Sequence, residues 1–125
     1  MAYNILVVDD SETVRAVIAK AIGMSGVEVK TLMTAGNGQQ ALDILDKEWV
    51  DLVFADINMP VMGGVEMVKR MKADDGMKGI PVVIVSTEGS ATRINGLLES
   101  GVRAFLRKPF TPESLKTTID SIMGK

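Results

Sequence analysis

Leu52-Val53-Phe54-Ala55-Asp56 is a run of four apolar residues closed by an acid, and Val65, Val68 and Met71 follow it at helical spacing. A short apolar run ahead of a 3.6-residue periodicity reads as a buried strand leading into an amphipathic helix. The same unit recurs on both sides. Upstream, Ile5-Leu6-Val7-Val8 precedes Val14, Val17, Ile18, Ala21 and Ile22, and a looser alternation from Val27 to Ala35 precedes Ala41, Leu42, Ile44 and Leu45. Downstream, Val82-Val83-Ile84-Val85 precedes Ile94, Leu97 and Leu98, and Ala104-Phe105-Leu106 precedes Leu115, Ile119 and Ile122. Thr111, Pro112 and Glu113 supply the N-cap, first-turn proline and first-turn acid of the last helix.

Five strand–helix units in 125 residues imply right-handed crossovers and one parallel sheet covered on both faces, as a single domain over residues 1–125. The densest apolar strands, beginning at residues 5, 52 and 82, belong in the centre, because central parallel strands are buried on both sides. The more broken strands near residues 29 and 105 suit the edges. The expected architecture is therefore α/β, a doubly wound (βα)5 sheet of order 2-1-3-4-5. This is the flavodoxin-like order, with its ligand crevice at the carboxyl ends of strands 1 and 3.

Composition narrows the chemistry. With no Cys and no His, there is no disulfide framework, thiolate zinc site, Cys nucleophile or imidazole base, so any metal is held by oxygen. The hydrophobic share of 46% and charged share of 24% match a folded, soluble protein. The longest uncharged stretch, Thr31 to Leu42, contains Gly, Asn and Gln, so no membrane span is expected. No signal peptide precedes Asp9, and a cytoplasmic location is the expectation. A net charge of -2 without a Lys/Arg cluster argues against nucleic-acid binding and for protein or small-molecule partners.

Strand 1 runs into Asp9 and Asp10, strand 3 into Asp56, strand 4 into Ser86 and strand 5 into Lys108. Singly, each has an ordinary explanation: Asp10 or Ser11 as a helix cap, Asp56 as a turn residue, Lys108 as a solvated charge. Jointly they put three carboxylates and an ammonium at the switch point of the sheet. Clustered carboxylates resist ionisation unless a cation joins them, and Mg2+ suits an all-oxygen set. An aspartate so placed can attack phosphorus, with Lys108 and the Ser86 hydroxyl meeting the phosphoryl oxygens. The chemistry suggested is phosphoryl transfer to a carboxylate.

Val7-Val8-Asp9-Asp10, Asp56-Ile57-Asn58-Met59-Pro60-Val61-Met62-Gly63-Gly64, Val85-Ser86 and Lys108-Pro109-Phe110 resemble the receiver domains of two-component response regulators across essentially the whole chain. Ending after its fifth helix, the chain is most similar to the single-domain, CheY-type regulators of chemotaxis. The resemblance implies that Asp56 is the phospho-acceptor and that Asp9, Asp10, Asp56 and the backbone carbonyl of Asn58 hold Mg2+. It implies that Lys108 contacts the phosphoryl group after a cis Lys108-Pro109 peptide, and that Ser86 and Phe105 form a switch pair. The donor would be a phosphohistidine on a sensor kinase. The helix 4, strand 5 and helix 5 surface would meet a target such as the flagellar motor switch, a phosphatase would be a further partner, and the protein would be a monomer. Such a domain is chiefly a switch, with self-catalysed phosphorylation and dephosphorylation.

Several residues depart from the family pattern. Gly63 stands where receivers carry a polar cap, and with Gly64 it should soften the loop beside the acceptor. Thr87 adds bulk where Ala or Gly is usual. Asn58 and Glu88, by contrast, are similar to the pairing of fast-cycling chemotaxis receivers, and the resemblance implies that they tune hydrolysis toward a short phosphoryl lifetime. Phe105 replaces the more frequent Tyr, and a plain edge-strand aromatic is its alternative reading. Gly96 either makes helix 4 marginal or permits close packing. Two rival functions stay open. A phosphorelay intermediate would pass its phosphoryl group to a histidine phosphotransfer protein. A Mg2+-dependent haloacid dehalogenase-like phosphatase would place another Asp two residues after the nucleophile, where this chain has Asn58.

Overall fold

Alternate residues of the central strands feed two different cores, one on each face of the sheet. The computed structural model describes residues 2–87 and 91–123. In chain order it contains β1 (Tyr3–Val8), α1 (Glu12–Met24), β2 (Val29–Ala35), α2 (Gly38–Lys47) and β3 (Leu52–Ala55). These are followed by α3 (Gly64–Lys72), β4 (Val82–Ser86), α4 (Ala91–Glu99), β5 (Ala104–Arg107) and α5 (Pro112–Met123). All strand pairs are parallel, and the sheet order is β2-β1-β3-β4-β5, as expected. Among the described residues, no helix is long and apolar enough to cross a membrane.

Side chains of a strand point alternately to opposite faces, so a continuous apolar run serves two cores at once. Leu6, Val8, Val53, Ala55, Val82 and Ile84 meet Ala41 and Leu45 of α2, Met67, Val68 and Met71 of α3, and Leu97 of α4. Ile5, Val7, Leu52, Phe54, Val83 and Val85 meet Ile18, Ala21 and Ile22 of α1 with Leu115 and Ile119 of α5. Three helices cover one face and two the other.

Helix starts follow local side-chain chemistry. The Ser11 hydroxyl accepts from Val14 N at 3.2 Å, and the Asn37 amide oxygen accepts from Gln40 N at 2.9 Å. Thr111 and Ser114 cap each other's backbone reciprocally, each N–H donating to the other's hydroxyl at 3.0 Å. Each cap satisfies a backbone donor that a helix start leaves without an intrahelical partner. Gly63 caps α3 without a side-chain bond.

Some helix positions differ from the periodic reading. Val17 is 55% exposed, because α1 turns that flank toward a cleft formed with Pro109 and Phe110 instead of toward the sheet. Met67, not Val65, takes the buried position on α3, and Leu98 is largely exposed while Leu97 is buried. Gly96 has nothing within 4 Å of where a Cβ would stand, so close packing does not explain it. At the amino end of β3, the exposed Trp49 indole donates to Asp51 Oδ1 at 2.9 Å, and Asn4 N donates to Asp51 Oδ2 at 2.8 Å.

Candidate functional site

At the carboxyl end of the sheet, Asp9 N donates to Ala35 O and Asp56 N to Val8 O, both at 3.1 Å. The ladder thus extends one residue beyond each strand and delivers both acids side by side. Asp9 is 2% exposed, and its Oδ1 accepts from Ser11 N at 2.9 Å. Ser11, rather than Asp10, caps α1, which leaves the exposed Asp10 carboxylate with no hydrogen bond among the described residues. One carboxylate oxygen from each of Asp9, Asp10 and Asp56 lies within 4.8 Å of the others.

Lys108 reaches this group from the loop after β5. Its Nζ is 3.5 Å from Asp9 Oδ2 and 3.8 Å from Asp56 Oδ2. Its backbone N donates to Ser86 O at 2.9 Å, tying the loop to the end of β4, and the Lys108-Pro109 peptide is cis, as the resemblance implied. Asp56 Oδ1 accepts from Ile57 N at 2.7 Å, which orients the carboxylate with Oδ2 toward the ammonium.

Burial raises the Asp56 carboxyl above the ordinary aspartate range. The Ile57 N–H and the Lys108 charge pull it back down, while Asp9 and Asp10 push it further up. One ammonium therefore does not neutralise three carboxylates. A compact set of carboxylate oxygens with excess negative charge suits a hard divalent cation.

The loop after β3 is braced against its neighbours. Gly64 N donates to Ile57 O at 2.8 Å, and Gly38 N, at the start of α2, donates to Met62 O at 2.8 Å. A Cβ on Gly64 would run into Asp56 O, and one on Gly63 would stand 2.6 Å from Ile57 O. The glycines therefore serve close approach beneath the Asp56 peptide. Met62 N donates to Pro60 O at 2.6 Å across Val61, whose φ is +66°. That is a γ-turn closed on a β-branched residue in the left-handed region, a costly conformation that the flanking bonds hold.

The remaining expected residues are placed less centrally. Ser86 is buried at the end of β4. Phe105 is half-buried against the core shared by α2, α3 and α4. Asn58 and Thr87 are exposed. Glu88 lies outside the described residues. The sequence reading missed Arg15, whose Nη1 donates to Asp9 O at 2.6 Å. A basic residue on the first turns of the helix that follows an acid pair was the available signal.

A family model described as the response regulator receiver domain matches residues 5–120. A chemotaxis protein CheY homolog of Campylobacter jejuni is 36% identical over 122 residues, covering 97% of this chain and 92% of the relative. A two-component response regulator of rice, Oryza sativa, is 37% identical over 123 residues, covering 98% and 90%. The solved structure of chemotaxis response regulator CheY4 of Vibrio cholerae superposes with a TM-score of 0.85 at 32% identity, covering 98% of this chain and 99% of that one. The loop, the acid group and the lysine thus sit in a chain that belongs to the response regulator receiver domain family, with relatives of the CheY type.

Proposed function

We propose that this chain is a response regulator receiver domain whose Asp56 accepts a phosphoryl group from a phosphohistidine of a sensor histidine kinase. The observation that carries this reading is the convergence of Asp9, Asp10 and Asp56 with the Lys108 ammonium at 3.5 and 3.8 Å. Asp9, Asp10, Asp56 and the Asn58 carbonyl would hold Mg2+. When bound, that ion supplies positive charge against the carboxylates and the incoming phosphoryl oxygens.

Asp56, oriented by Ile57 N–H, is the nucleophile. Its oxygen forms the new P–O bond as the P–N bond to the donor imidazole breaks, and the ring nitrogen keeps the electron pair. Lys108, within reach of the same carboxylate, stabilises negative charge on the phosphoryl oxygens. Ser86, at the adjacent strand end, provides a hydroxyl donor. The added charge of roughly -1.5 to -2 and its three acceptors give the switch its energy. Ser86 turns toward the phosphoryl group, Phe105 turns inward, and the surface of α4, β5 and α5 changes for its target.

Chemotaxis is the pathway we favour, on the names of the Campylobacter and Vibrio relatives, and the flagellar motor switch is the corresponding target. The rice regulator is as similar, so identity alone does not choose the pathway. A phosphatase partner, a monomeric state and a cytoplasmic location belong to the same proposal. The dehalogenase-type alternative is disfavoured by Asn58, which stands where that chemistry needs a second Asp.

Intact-mass spectrometry after incubation with acetyl phosphate, with and without Mg2+, tests the reading. The expected result is a Mg2+-dependent gain of one phosphoryl group that Asp56→Asn abolishes. Decay of the adduct separates a fast switch, which Asn58 and Glu88 favour, from a long-lived relay intermediate. Thr87→Ala should accelerate both labelling and decay if Thr87 crowds the entrance. A wild type that binds Mg2+ yet gains no phosphoryl group from acetyl phosphate or from a phosphorylated kinase would overturn the proposal.

A further inference from the structure

Two of the three carboxylates are directly anchored, and the third is not. Asp56 is held by Ile57 N–H. Asp9 is held by its own N–H on Ala35 O, by Ser11 N–H on Oδ1, and by Lys108 near Oδ2. Asp10 is exposed and its carboxylate has no hydrogen bond among the described residues. Its direction is therefore set by the backbone, and first by the peptide plane that joins Asp9 to Asp10. The carbonyl of that plane is the acceptor of Arg15 Nη1 at 2.6 Å, a short charge-assisted bond.

Arg15 is itself fixed. Its N–H donates to Ser11 O at 3.0 Å within the first turn of α1. Its Nη1 lies beside the loop after β2, 3.7 Å from where a Cβ on Gly36 would stand. Gly36 N is in turn anchored on Gln40 Oε1 at 2.8 Å. The side chain thus lies beside the loop after β2 and ends on the peptide that aims Asp10.

We propose that Arg15 is a positioning residue for the divalent-cation site, holding the Asp9–Asp10 peptide so that the Asp10 carboxylate faces the other two. This rests on the reading of the carboxylate group as a Mg2+ site. Two physical effects of Arg15 on that site have opposite signs. As a cation bonded to the backbone between Asp9 and Asp10 it repels a divalent ion, so charge alone predicts tighter binding when it is removed. As the anchor of a ligand's backbone it favours binding, and loss of such outer-layer support weakens metal affinity by roughly 10- to 100-fold.

The test is calorimetric titration of the full chain with Mg2+, comparing wild type, Arg15→Ala and Arg15→Lys, with thermal melts in EDTA to verify folding. The expected result is affinity about ten-fold weaker in Arg15→Ala. Arg15→Lys, which keeps the charge and one donor, should recover part of the loss. Should Arg15→Ala fail to fold, Arg15→Lys decides, with weakened binding expected. Unchanged or tighter binding in the folded variants would overturn the role given to Arg15 while leaving the metal site intact. A wild type that binds no Mg2+ would overturn both.

Discussion

At the scale of single residues, Asp56 combines a functional position with a cost in stability. Its carboxyl is held above the ordinary range chiefly by burial, so the folded state binds the proton more tightly than the unfolded chain does. Stability then falls as pH rises from the unfolded value through the folded one, and the penalty is complete above the folded one. Asp56→Asn keeps an Oδ1 acceptor for Ile57 N and removes the charge. It should raise Tm by a few degrees in metal-free buffer near neutral pH, with the gain shrinking as the pH is lowered from the raised folded value toward the ordinary aspartate value. Melts across that pH series check it, and equal Tm values at neutral pH would contradict the burial argument. Gly64 gives the opposite outcome, because an added methyl would run into Asp56 O and push on the peptide that carries the Asp56 carboxylate. Gly64→Ala should destabilise by about 1–3 kcal/mol, as overpacking does, and should slow acetyl phosphate labelling. Denaturant titration with a labelling time course measures both.

At the scale of elements, α4 carries a glycine that no contact among the described residues requires. Gly96 is exposed, with open space where a Cβ would be, so the same substitution that harms Gly64 should help here. Gly96→Ala should stabilise by about 0.5–1 kcal/mol and raise Tm by about 3 °C. A stiffer α4 should also bind a phosphorylation-dependent target with a smaller difference between the two states. Calorimetry and target-binding titrations test the two halves separately. Elements of this kind were readable from sequence in outline but not in neighbours. Ile5–Val8, Leu52–Ala55 and Val82–Val85 announced central strands because burial on both faces demands unbroken apolar runs. Val17 did not announce its exposure, since a 3.6-residue period identifies a helix face and not what that face meets.

At the scale of the whole molecule, the sheet order turns separate strand ends into one site. Asp9, Asp10, Asp56 and Lys108 were legible because the switch point of a 2-1-3-4-5 sheet is fixed by topology once the strands are read. Arg15 and the close approach of Gly64 to Asp56 O were not, because both depend on how loops from different strands stack. On the proposed reading, a cation that binds only the folded site raises global stability by mass action, by about 2.7 kcal/mol at one hundred times its dissociation constant. Mg2+ should therefore raise Tm by about 10 °C under those conditions. The rise should collapse in Asp9→Asn, which removes a ligand charge, and melts over a Mg2+ series would display the difference.

The chain's one tryptophan stands at the other pole of the sheet, with Trp49 77% exposed and its Nε1 on Asp51. An indole already surrounded by solvent emits at nearly the same wavelength before and after denaturation. Intrinsic fluorescence should therefore pass almost silently over both unfolding and events near Asp56, whereas far-ultraviolet circular dichroism follows the melting of the helices. That quiet background makes the molecule a good host for an optical probe: Met59→Trp, at a half-buried position on the same loop, would be the dominant reporter of what happens near Asp56.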